Sequence, residues 1–229
     1  MIGILISADV DSRAELERIV TATHNLNQVI GYKLGVLCSL SLGLSECTSL
    51  VKNHCDKQII YDHQKAGNDI PDISRRLVSL AYKAGVTGFI LFPFAGPAVM
   101  QAAIREGQSV GLRMIVGGYM THPMFIEGGG GFIPKSLPQR IFDEAAILGV
   151  SDFVLPGNQP EVASAYANSI SVAVQSPTFW TPGIGKQGGS ICALRAKLPT
   201  NANLIPIVGS SIYESTNPSL EVERLSCEK

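Results

Sequence analysis

Short apolar runs alternate with longer amphipathic stretches along almost the whole chain, and this alternation limits the fold more than any other feature. The runs suited to strands are 3–7, 29–34, 58–61, 88–92, 111–116, 152–155, 171–174 and 204–208. Between them, 12–25, 73–84, 96–106, 137–148 and 161–168 carry apolar residues every third or fourth position, the stripe of a helix laid on a sheet. A repeated β-then-α order calls for parallel strands joined by crossover helices. About eight such units within 229 residues match a closed (β/α)8 barrel, the TIM barrel. A doubly wound sheet ordinarily carries a glycine fingerprint after its first strand, and "SADVDSR" (7–13) holds no glycine. The expectation is an α/β chain forming a single-domain TIM barrel over 1–229, with no linker or composition shift to divide it.

Composition narrows the function classes. Hydrophobic residues make up 45% of the chain and charged ones 16%, which suits a substantial core. Lys and Arg number 18 against 19 Asp and Glu, so there is no basic field for nucleic acid and no membrane-binding face. An anionic ligand must then be held by local groups. The five cysteines form no CxxC pair and are odd in number, as expected of free thiols in a reducing compartment. "MIGILISA" (1–8) lacks a basic leader and is too short for a signal segment or a membrane span, so it reads as the first strand and the chain as cytoplasmic.

In such a barrel the active residues sit at the C-terminal ends of the strands. Those positions hold Asp9, Lys33, Asp62 with Lys65, Thr121, the glycine-rich "TPGIGKQGGS" (181–190) and "VGSSIY" (208–213). Asp9 reads equally well as a helix cap for 12–25 or as a site residue. Lys33, in "VIGYKLGVL", has apolar neighbours on both sides, and a charge there is costly unless paired. Alternating lysines and aspartates keep one another ionised. Such an array sets negative charge against a leaving carboxylate and an ammonium proton beside the carbon it leaves. A rim salt-bridge network explains one Asp–Lys pair equally well, but not a set of four.

Two further segments point to a ligand. Residues 117–136 carry six glycines and two prolines, too many for a short βα turn, and read as a long mobile loop on the active face. The backbone N–H groups of Gly183, Gly185, Gly188 and Gly189 are expected to approach an anion, since the loops after strands seven and eight form the usual barrel phosphate site.

With these residues in place, the chain resembles the orotidine 5′-monophosphate decarboxylases along nearly its whole length. Asp9 in "SADVD" and Lys33 in "GYKLG" are similar to the family's Asp after strand one and Lys ending strand two. "DHQKAGNDIP" (62–71) resembles the family's D-x-K-x-x-D-I-P with two added residues, giving Asp62, Lys65, Asp69 and Ile70. "MTHP" puts Thr121 in the place of the family's serine, "FVLPGNQPE" (153–161) resembles its strand-six segment, and "TPGIGKQGG" with "VGSSIYESTNP" its phosphate-binding end.

The resemblance implies decarboxylation of orotidine monophosphate to UMP without metal or cofactor, by a homodimer whose active sites are shared. Lys65 would protonate C6 of the pyrimidine, Asp62 would face the leaving carboxylate, and Lys33 and Asp69 would complete the array. Asp69 and Ile70 would reach into the partner's site. Asp9 and Lys33 would hold the ribose, Thr121 the base, and Pro182, Gln187, Gly209 and Ser210 would belong to the phosphate end, with residues 124–135 closing over the nucleotide.

Three departures stand out. Asp62 and Lys65 are three apart rather than two, so both face inward only if the strand bulges or ends early. Ser210 replaces the arginine of "VGRSIY", a loss of about 1.5–3 kcal/mol at a phosphate unless compensated, and Lys186 is the candidate replacement. Ile73 stands where many members have threonine. The alternatives are a Mg2+-dependent sister enzyme acting on a sugar-phosphate acid, and a non-catalytic binder of phosphate ligands. The first should show an extra acid on strand two, where this chain has Lys33; the second has no need of a costly charge array.

Overall fold

The computed structural model describes residues 3–63 and 68–226. Eight parallel strands pair in sequence order and close on themselves, since β1 (Ile4–Ala8) pairs with both β2 (Val29–Leu34) and β8 (Asn203–Val208). The strands between are β3 (Gln58–Asp62), β4 (Gly88–Leu91), β5 (Arg113–Gly117), β6 (Asp152–Val154) and β7 (Thr178–Pro182). Outside them lie α1 (Arg13–Thr23), α4 (Pro71–Lys83), α5 (Pro97–Ser109), α6 (Leu137–Ile147) and α7 (Pro160–Ala173). Four of these begin with proline in the first turn, where its missing N–H removes no helix bond. Ser12 caps α1 by accepting from the Glu15 N–H at 3.3 Å, so Asp9 is released from that task.

The alternation of side chains along each strand makes two cores. Leu5, Ile60, Ile90, Phe92, Ile115, Val154, Trp180 and Ile207 fill the barrel interior. Their neighbours Ile4, Ile6, Tyr32, Ile59, Phe89, Val116, Phe153 and Phe179 face the helices. A period of two therefore carries Leu5 through Ser7 to Asp9, and Ile60 to Asp62, on the inward face. At the other end of the barrel, Trp180 donates its indole N–H to buried Asp152 at 2.9 Å, and the Arg113 guanidinium lies 5.8 Å from the Trp180 ring.

Three expectations are corrected. Residues 171–173 continue α7, and the seventh strand is Thr178–Pro182 rather than 171–174. The run "ISVAV" carries three β-branched residues, but Ala163, Ala167 and Ile170 form one buried helical face, while Val172 is exposed. Between β2 and β3 the chain forms two helices, α2 (Val36–Leu42) and α3 (Leu44–Lys52), broken at Gly43 with φ 84°, where no helix was expected. Residues 117–136 hold internal order: a 3₁₀ turn at Glu127–Gly129, hydrogen bonds joining Glu127 to Ile133 and Ile133 to Phe125, and a buried Phe125 packed on Phe94 and Tyr119.

Trp180→Phe keeps most of the barrel's aromatic filling but removes the donor to Asp152. It is expected to destabilise the fold by about 1–3 kcal/mol in urea unfolding followed by circular dichroism; an unchanged midpoint would show that this hydrogen bond contributes nothing.

Candidate active site

Ser7 and Lys33 are register partners on β1 and β2, and Lys33 pairs in turn with Ile60 on β3. This register brings Asp9, Lys33 and Asp62 together at the C-terminal mouth. The Lys33 ammonium donates to Asp62 Oδ2 at 2.8 Å and to Asp9 Oδ1 and Oδ2 at 3.0 and 3.2 Å. Lys33 and Asp62 are each 6% exposed, and the Asp9 side chain is more open. Burial alone would lower the Lys33 pKa, but the Asp62 and then the Asp9 charge outweigh it and raise it above the ordinary lysine value.

Two residues fix Asp9 from other sides. Ser7, itself buried, donates its hydroxyl to Asp9 Oδ2 at 2.6 Å. A Cβ at Gly35 would lie 2.2 Å from Asp9 Oδ1, so the carboxylate occupies the space that any other side chain there would need. Nothing in the sequence singles out Gly35. Ser7 does have a signal, since it shares the inward face of β1 two positions before Asp9.

Above this cluster lie two adjoining hollows of about 190 and 240 Å3. Ser7, Asp9, Lys33, Asp62, Gly209, Ser210 and Tyr213 line the first, and Thr121, Tyr119, His122 and Asn158 line the second. Pro182, Gly183 and Gln187 are common to both, so the turn after β7 forms the wall between them. Of the expected binding residues, Asp9, Pro182, Gln187, Gly209, Ser210 and Thr121 therefore border this two-part depression. Tyr213, Tyr119 and Asn158 are additions that their helical or loop surroundings concealed.

The glycine-rich turn is built differently from expectation. The N–H groups of Gly185, Gly188 and Gly189 donate to Gly189, Gly185 and Gly183 carbonyls at 3.0, 2.8 and 3.0 Å. Three of the amides assigned to an anion thus hold the turn together. Gly183, Gly185 and Gly188 have φ of 94°, 80° and 88°, which explains why glycine fills these places.

Lys186 hydrogen-bonds through its N–H to Ser211 Oγ at 2.9 Å, and its ammonium pairs with Glu214 at 2.7 Å. Asp69 and Ile70 are exposed residues that precede α4, and neither lines the hollow around Lys33; Asp69 accepts from the Ile70 N–H at 2.7 Å, and Ile70 is 62% exposed. Lys65 lies outside the described residues.

The chain as a whole is similar to known proteins. Residues 3–225 match the family described as "Orotidine 5′-phosphate decarboxylase / HUMPS family". The orotidine 5′-phosphate decarboxylase of Methanocaldococcus jannaschii is 28% identical over 221 residues, covering 96% of this chain and 95% of that protein. The protein of the same name from Pyrococcus furiosus is 31% identical over 191 residues, 83% of this chain and 76% of its own. A crystal structure of the M. jannaschii orotidine 5′-monophosphate decarboxylase complexed with inhibitor BMP superposes with a TM-score of 0.82 at 27% identity, covering 98% of this chain and 96% of that one. The match runs through every strand of the barrel, and the chain belongs to the orotidine 5′-phosphate decarboxylase / HUMPS family.

Proposed function

We propose that this chain is a carboxy-lyase that converts orotidine 5′-monophosphate to UMP in pyrimidine synthesis, with no cofactor. The observation that carries the reading is the Lys33 ammonium held between the Asp9 and Asp62 carboxylates at the floor of the depression. A substrate carboxylate set against Asp62 meets like charge, which its departure as CO2 relieves. The C6–carboxylate bond breaks, the electron pair stays on C6, and an ammonium proton is then taken up there. Lys65 is the proposed donor. Lys33 stabilises the negative charge, and its bonds to two aspartates leave it fixed before substrate arrives. The same ammonium occupies the space between the carboxylates that a divalent cation would need in the metal-dependent alternative.

Asp9 and Lys33 are proposed to hold the ribose, Thr121 the base, and Pro182, Gln187, Gly209 and Ser210 the phosphate end. The exposed Asp69 and apolar Ile70 suit a place in the partner's site of a homodimer, and we assign the enzyme to the cytoplasm. Lys186 is proposed to take over from the missing arginine by exchanging Glu214 for the phosphate. The pair is half exposed and so worth about 0–1 kcal/mol, which makes the exchange inexpensive.

The deciding experiment follows loss of orotidine monophosphate absorbance with EDTA present. Turnover is expected, and Lys65→Ala should abolish it in a protein with an unchanged circular dichroism spectrum; no turnover by the folded parent chain would overturn the proposal, and turnover abolished by EDTA would favour the metal-dependent reading. Lys186→Ala should raise KM several-fold with kcat nearly unchanged, and an unaltered KM refutes its phosphate role. The raised Lys33 pKa adds a pH signature. Because the folded value exceeds the unfolded one, its stabilisation is complete below roughly pH 10.4, the unfolded lysine value. It is lost as pH rises through the higher folded value, so the urea midpoint of the parent should fall above that pH relative to Lys33→Met, and parallel profiles would contradict this.

A further inference from the structure

Cys38 in α2 and Cys47 in α3 meet across the corner at Gly43, both with no exposed surface. Their sulfurs lie 3.0 Å apart, nearer than unbonded sulfur atoms ordinarily sit, and the Cys47 sulfur also lies 3.5 Å from the Cys38 carbonyl oxygen. We propose that Cys38 and Cys47 are a redox-active dithiol that peroxide converts into an intrachain disulfide stapling α2 to α3. This rests on the packing of the two helices and is independent of the decarboxylase reading.

Several features suit the pair to this chemistry. The Cys38–Cys47 hydrogen bond holds the Cys47 pKa below the ordinary thiol value, against the opposing effect of burial, and pushes that of Cys38 up. This direction suits Cys47 to be the attacking thiol once the corner opens. Access requires only a local opening of α2, seven residues between Gly35 and Gly43 whose outer face carries exposed Leu37 and Leu40. The Cys47 thiolate attacks one oxygen of hydrogen peroxide, the O–O bond breaks, and the departing hydroxide takes a proton to become water. The resulting sulfenic acid is attacked by the Cys38 sulfur. The S–S bond forms as the S–O bond breaks, and the oxygen leaves with the Cys38 proton as the second water. Two thiols are oxidised and one peroxide is reduced.

The other two described cysteines supply an internal contrast. Cys192 is exposed and Cys55 half-buried, and neither neighbours the pair in the helices that hold it. The staple would close a loop of only about ten residues, so its effect is expected to be moderate. It would fix the corner that follows β2, next to the glycine on which Asp9 rests.

The test uses the full chain, reduced and then treated with hydrogen peroxide, unfolded, alkylated and digested with trypsin. The tryptic peptide 34–52 contains both cysteines. It is expected to lack two hydrogens and take up no alkylating agent, and to regain two alkylation sites after dithiothreitol. The melting temperature of the oxidised protein should rise by roughly 5–10 °C, and Cys38→Ser or Cys47→Ser should remove that rise while Cys192→Ser leaves it. Peptide mapping of the unsubstituted chain decides the matter even if a serine variant does not fold. Recovery of peptide 34–52 with two alkylated thiols after peroxide, or with Cys47 as a sulfinic acid, overturns the proposal.

Discussion

The active face is organised by one ammonium group and the two carboxylates that hold it. A lysine at 6% exposure is a liability by itself, since the barrel mouth offers it little water. Asp62 and Asp9 remove that liability, and each needs Lys33 in return, because a buried or half-buried carboxylate without a cation would be as costly. The three residues come from three consecutive strands. Their meeting therefore depends on the β1–β2–β3 register being correct to the residue; a slip by one position would turn each side chain into the helix layer. Barrel closure and charge pairing support each other: the ladder places the charges, and the charges penalise every other ladder.

Much of this was legible beforehand because a period of two and a period of about 3.6 are properties of local sequence. Lys33 was conspicuous for interrupting an apolar strand, and Asp9 and Asp62 followed from their places at strand ends. The failures have physical causes too. "ISVAV" carries strand-like residues, but its face is set by packing with Ala163 and Ala167 earlier in the same helix, which outweighs local preference. The pair of helices after β2 was hidden because Gly43 splits the stretch into two pieces too short to show a clear period. The glycine turn after β7 was placed correctly, yet three of its amides bond inward, because positive-φ glycines serve turn geometry as readily as ligand approach.

Roles, as opposed to positions, came from the family pattern, and they reach only as far as the matching residues. The inserted positions between Asp62 and Asp69 and the serine at 210 mark where this chain parts from that pattern. Ser210 opens the short helix Ser210–Tyr213 that follows β8, outside the strands, so the barrel can keep its closure while this part of the rim varies.

Gly35 has φ −92°, a value open to any amino acid, and yet a larger residue there would displace the Asp9 carboxylate, which takes the room that the missing side chain leaves. What excludes alternatives at position 35 is thus a charge twenty-six residues earlier in the chain, not the backbone. Positions 9 and 35 are consequently coupled through space. A side chain placed at 35 would have to push that carboxylate off the Lys33 ammonium, so the empty space at one residue keeps the charge pairing of two others intact.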